Sequence, residues 1–145
     1  MSEDKQKIPS IDELILDNNI VINEVYVKAY YSPIYKLFLI IWDGVFSDQE
    51  YKNVFDQLLD FAKINKTIGV YSDVRRQGKV SLEAREYFKK HISPAGDALG
   101  MKRAAAIIDS SPFKLMYVNA LIKISGQRAK VFSNPEKALA YLLEG

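Results

Sequence analysis

Residues Thr67 to Phe88 read TIGVYSDVRRQGKVSLEAREYF. Thr67 to Tyr71 is a short apolar run of strand length, and Asp73 to Ser81 is a polar, basic junction. Ser81 has the character of a helix N-cap, and the helix it opens is expected to turn Leu82, Phe88 and Tyr87 inward. A strand followed by a loop and a helix is half of a βαβ unit. The stretch therefore predicts an α/β domain built on a largely parallel sheet.

The flanking sequence repeats the pattern. After it, Ser93-Pro94-Ala95-Gly96 is expected to break the helix, and Arg103 to Ile108 reads as another buried strand. Ser111-Pro112 gives an N-cap with proline at the first helical position. That helix is expected to bury Phe113, Met116, Tyr117, Ala120, Leu121 and Ile124 and to stop at Gly126. Arg128 to Phe132 is a last strand, and Ser133-Asn134-Pro135-Glu136 is a capping box opening a final helix that buries Ala138, Leu139 and Leu142.

Before it, Ser47-Asp48-Gln49-Glu50 is also a capping box, and Tyr51, Val54, Phe55, Leu58, Leu59 and Ala62 share one helical face. Ile20 to Tyr31 and Ile34 to Trp42 read as an antiparallel pair of strands around Ser32-Pro33. The second of these is apolar at nearly every position, which suits a strand covered on both faces. Ser10-Ile11-Asp12-Glu13 is a third capping box, for a short helix through Leu16. The expected order is ββαβαβαβα with a mixed, mostly parallel sheet. Residues 1–19 are expected to be a polar extension and 20–145 a single domain.

Composition narrows the function. The chain has 145 residues, and a domain of that size buries roughly 70% of its unfolded surface. Its longest wholly apolar run, Leu37 to Trp42, is far short of the roughly 20 residues of a membrane helix, and the start lacks an apolar signal core. A cytoplasmic protein with no transmembrane segment is expected. With no cysteine there is no thiolate nucleophile, and with His91 the single histidine the usual zinc sites are nearly excluded. A net charge of +2 is too small to argue for nucleic acid, whose phosphates call for a strongly basic face.

The element order resembles the STAS fold of anti-sigma-factor antagonists. The run from Trp42-Asp43-Gly44 through Asp73-Val74-Arg75-Arg76-Gln77-Gly78-Lys79-Val80-Ser81-Leu82-Glu83 resembles the bacterial SpoIIAA-like, STAS/SEC14-type proteins. The resemblance covers about residues 26–143. It implies a regulatory, protein-binding role, and in the antagonists a phosphoserine at the junction occupied here by Asp73 to Ser81. The family's Asp-Ser-Ser/Thr-Gly stretch is absent from that junction. Asp109-Ser110-Ser111-Pro112, one strand later, is a partial match with proline in place of glycine.

Read from the residues, Arg75, Arg76 and Lys79 precede a helix N-terminus that carries about half a positive charge. With Asp73 and Ser81 they form a candidate anion- or partner-binding site. The alternative is a solvated loop with Ser81 as an ordinary N-cap. The phosphate-loop pattern fails, because Asp73 stands where it needs glycine and Val80 where it needs serine or threonine. Phosphorylation of Ser81 is chemically sensible, because the added negative charge is expected to meet both the helix dipole and Arg75 or Arg76. Asp43, Asp73 and Asp109 each end a strand at the carboxyl edge of the sheet, where open α/β folds bind ligands. They are candidate magnesium ligands, unless aspartate merely serves the turns. His91 is expected near a helix end in a structural role.

The leading expectation is a non-enzymatic regulatory or partner-binding module centred on residues 73–81, with no cofactor. Self-association through Tyr26, Tyr30 and Tyr35 is one form of it. The alternative is a SEC14-like carrier of a small apolar or lipid ligand, which requires a cavity among Leu37, Phe38, Phe55 and Phe88. A third reading is a magnesium-dependent phosphate-handling enzyme.

Overall fold

The computed structural model describes residues 8–109, 112, 115, 116, 119 and 128–144. Among the described residues, six strands form one sheet in sequential order: β1 (Ile20–Glu24), β2 (Val27–Ser32), β3 (Leu37–Gly44), β4 (Gly69–Gln77), β5 (Arg103–Ile107) and β6 (Arg128–Phe132). β1, β2 and β3 pair antiparallel, and β3 through β6 pair parallel. The α/β class and the mixed, mostly parallel sheet are as the sequence predicts.

The sheet is covered on both faces. Phe38, Ile40 and Trp42 of β3 meet Tyr51, Val54 and Leu58 of α1 (Asp48–Ile64) in one core. Leu37 and Leu39, pointing the other way, meet Tyr71, Ala105 and the C-terminal helix (Pro135–Leu142) in a second. Each such fully buried side chain contributes roughly 1.5–3 kcal/mol. This two-sided burial explains why β3 is apolar at almost every position. α1 begins as expected: Ser47 Oγ accepts the Glu50 N–H at 3.1 Å, and Glu50 Oε1 accepts the Ser47 N–H at 2.7 Å.

Several expectations are corrected. Ile20 to Tyr31 is two strands with a tight turn at Val25-Tyr26 between them, so three antiparallel strands, β1 to β3, stand where two were expected. Ser10 opens a single 3-10 turn, Ile11–Glu13, and Leu14 just beyond it is buried in the second core. The final helix is capped one residue later than expected, by Asn134, whose side chain accepts the Lys137 N–H at 3.1 Å. Pro135 then occupies the first turn, where its missing N–H costs nothing.

The segment after Ser81 differs most. Leu82 is 67% exposed, and Ala84 takes the inward position. α2 (Leu82–Tyr87) continues through a π-helical turn, Phe88–Ile92, into α3 (Ser93–Ala98). Pro94 sits in the first turn of α3, where proline is tolerated, so no break occurs there. His91 lies inside the π turn, against the Tyr87 ring at 4.9 Å. Pro112, Leu115, Met116 and Asn119 are helical, but Met116 is 71% exposed, against the inward position expected. Ser110, Ser111 and Gly126 lie outside the described residues, as do Phe113, Tyr117, Ala120, Leu121 and Ile124.

Candidate functional site

The expected loop from Asp73 is in fact strand: β4 runs on to Gln77, because β3 also extends, to Gly44, and offers it a partner. Asp73 is buried. Its Oδ1 accepts the Arg75 N–H at 3.1 Å and Arg75 Nε at 3.0 Å, and its Oδ2 accepts Arg75 Nη2 at 2.6 Å. The hydrogen bond to Asp73 raises the Arg75 pKa above its ordinary value, against the lowering effect of desolvation. Arg76 Nε donates to Asp43 Oδ1 at 3.0 Å. Ser81 Oγ accepts the Ala84 N–H at 3.0 Å and donates to Asp48 Oδ1 at 2.7 Å.

The structure thus gives the candidate anion site different neighbours from those expected. Both arginines face carboxylates of the chain itself, and Ser81 faces an acid where the phosphoserine reading needed a base. A phosphate there would meet Asp48 at hydrogen-bond distance, a repulsive contact. Lys79 is exposed. Of the three aspartates, Asp43 and Asp73 are each paired with an arginine, and Asp109 adds a weaker pull on the Arg75 charge. Among the described residues, no group of three or more His, Asp and Glu side chains is placed to hold a metal ion.

What the structure does assemble is a cavity of about 150 Å³ between the sheet and the helices. Ile40, Trp42, Val70 and Val74 form its floor with Ala104 and Ala106. Tyr51, Phe55 and Leu58 of α1 cover it, and Phe88 and Ile92 of the π turn close one side. Trp42 lies 6.0 Å from the Phe55 ring, which meets Phe88 edge-on at 5.1 Å. Leu37, expected among the lining residues, points to the opposite face. Tyr26 belongs with the cavity-side core, whereas Tyr30 and Tyr35 pack on the other, so the three tyrosines do not form one patch.

The lining is almost wholly apolar. Arg103 and Lys130 reach it only through their strands, since both side chains lie over the Tyr141 ring on the far face, at 5.0 and 4.9 Å. Among the described lining residues, Tyr51, Ser72, Gln77 and Ser93 carry polar side-chain atoms without charge. The π turn brings Phe88 and Ile92 to this wall, and such turns recur at functional sites.

Gln77 escapes the sequence reading, which places it in a solvated loop. It is 9% exposed and lies opposite Gly44. Its inward aim depends on an irregularity: Ile41 pairs with Asp73 and Asp43 with Arg76, two steps on β3 against three on β4. The extra residue is a β-bulge, which shifts the alternation of every later side chain by one. The available signal was the doublet Arg75-Arg76, which interrupts an alternation otherwise running Val70, Ser72, Val74 on the inner face. No family model matches the chain, and no curated protein is significantly similar to it.

Proposed function

We propose that this protein is a non-enzymatic binding domain that holds a small, mainly apolar ligand in the cavity between its sheet and α1. The observation that carries the reading is the cavity itself, ringed by Trp42, Phe55 and Phe88 where a close-packed core is the norm. Its volume of about 150 Å³ is of the order that admits one benzene-sized ring. Pockets for drug-sized ligands run from about 300 to 1,000 Å³, so the ligand is a ring with a few further atoms and not a whole lipid. The carrier reading is therefore kept in its small-ligand form. A STAS-like assignment and a cytoplasmic setting belong to the same proposal, supported by the mixed sheet and the lack of cysteine.

Trp42, the sole tryptophan, lines the cavity and serves as the probe. Titration with toluene is expected to change its emission saturably, and Ala106→Leu, which fills the floor, to abolish the response while the protein remains folded. A linear, non-saturating response in the wild type would sink the reading.

A second reading, the partner-binding module centred on residues 73–81, is favoured by one observation. Val45 and Leu82, which flank that segment, are 86% and 67% exposed, beside the exposed Arg76 and Lys79. Gly78 donates its N–H to Gly44 O at 2.8 Å, which keeps the two loops adjacent. If a second copy of the chain covers this edge, sedimentation will show a dimer that Val45→Glu with Leu82→Glu converts to monomer. A wild type monomeric at high concentration would end the self-association form of the idea.

A further inference from the structure

We propose that the cavity recognises a neutral ligand with an amide-type head, a hydrogen-bond donor and acceptor side by side, and that Gln77 is the residue that reads it. This rests on the cavity reading above and adds the polarity of the ligand to it.

Three observations converge on Gln77. The bulge in β4 turns it onto the cavity face, opposite Gly44, which has no side chain to cover it. Bulges of this kind re-aim single side chains beside binding sites. The bulge is also locked: the Arg75 N–H and guanidinium both donate to Asp73. Finally, Gln77 is nine-tenths buried, and no hydrogen bond from another described residue satisfies its side-chain amide. No described polar side-chain atom is sealed away without a partner, so this amide keeps contact with open space, and the space beside it is the cavity.

In the empty cavity that amide is left to water, and a ligand that replaces both water bonds keeps it satisfied, whereas one that displaces the water without replacing them leaves it unpaired at a cost in free energy. The glutamine N–H would donate to a ligand carbonyl and its carbonyl accept from a ligand N–H, a planar two-bond match made by a carboxamide, a lactam or the edge of a base. The ring of such a ligand would lie among Trp42, Phe55 and Phe88. Charge is selected against: the side chains of Arg103 and Lys130 lie on the far face, so among the described residues no ionic group enters the cavity. An ion placed there would lose its hydration with no opposite charge to offset the loss.

The test compares benzamide with toluene, by Trp42 emission and thermal shift, in the wild type and in Gln77→Met, which keeps the shape and removes both polar atoms. The expected result is a loss of at least tenfold in benzamide affinity with toluene affinity unchanged or improved. In the wild type, benzamide should also move the Gln77 side-chain NH2 signals in a nitrogen-proton spectrum, a readout that needs no variant. Equal changes for the two probes, or benzamide binding that leaves those signals in place, would overturn the role of Gln77 while leaving the cavity reading intact. If neither probe binds the wild type, the cavity reading itself falls, and this inference with it.

Discussion

Ser81 makes two hydrogen bonds. One is local: its Oγ accepts the Ala84 N–H, three residues on, as a helix cap. The other spans 33 residues, to Asp48 Oδ1 at the start of α1. The two bonds give separable expectations. Ser81→Ala should lower stability by about 1 kcal/mol, the usual cost of a lost cap, as a shift in the urea midpoint. Ser81→Asp keeps a capping oxygen but sets a second carboxylate against Asp48, so it should be less stable than Ser81→Asn, and adding Asp48→Asn should remove the difference. If the two single variants are equally stable, the contact with Asp48 has no electrostatic weight. Arg76 was misread for the same reason, a partner remote along the chain, whereas the partner of Arg75, Asp73, stands only two residues away. Arg75 and Arg76 look like free cations in the sequence, and Asp43 is remote along the chain.

Elements were legible where periodicity and capping agree, and obscured where an irregularity intervenes. α1 has a capping box and a clean apolar face, and both appear as expected. The end of β4 was missed because a bulge breaks the two-residue alternation by which strands are recognised. The π turn was missed because Ser93-Pro94 and Gly96 look like a helix break, yet the proline falls in the first turn of α3. The extension of β3 and β4 has its own requirement. Gly78 donates its N–H to Gly44 O, and a Cβ at Gly78 would stand 2.5 Å from that oxygen. Because the obstacle is backbone, Gly78→Ala must separate the two strand ends. It should cost about 3 kcal/mol, the upper range of overpacking, measured by chemical denaturation. A loss of under about 0.5 kcal/mol would show that this junction yields freely.

Across the molecule, the sheet covered on two faces was legible in the unbroken apolar run of β3, whereas the cavity was not, because a void is a property of distant side chains failing to meet. Tyrosines give the whole fold an alkaline limit. Burial raises the pKa of Tyr71, Tyr26, Tyr30 and Tyr31, and a hydrogen bond to Asp56 raises that of Tyr87. In each case the folded state holds the proton more tightly than the unfolded chain, whose tyrosines titrate near pH 10. Their contribution is therefore complete below about pH 10 and is lost as the pH rises further toward the folded values. Urea midpoints should be level from pH 7 to 9 and fall above pH 10, less steeply in Tyr71→Phe, and an identical slope in that variant would remove Tyr71 from the account. The bulge in β4 also has a meaning in terms of chain length. Without Arg75, the run Ser72, Asp73, Val74, Arg76, Gln77 alternates regularly, with Val74 and Gln77 both still inward. Arg75 is in that sense a one-residue insertion that the strand has absorbed, and Asp73 is the residue that accommodates it. Deleting Arg75 together with Asp73→Asn should give a folded protein that still binds benzamide. The same deletion one position earlier, at the buried Val74, would bring an arginine opposite Trp42 and should not fold.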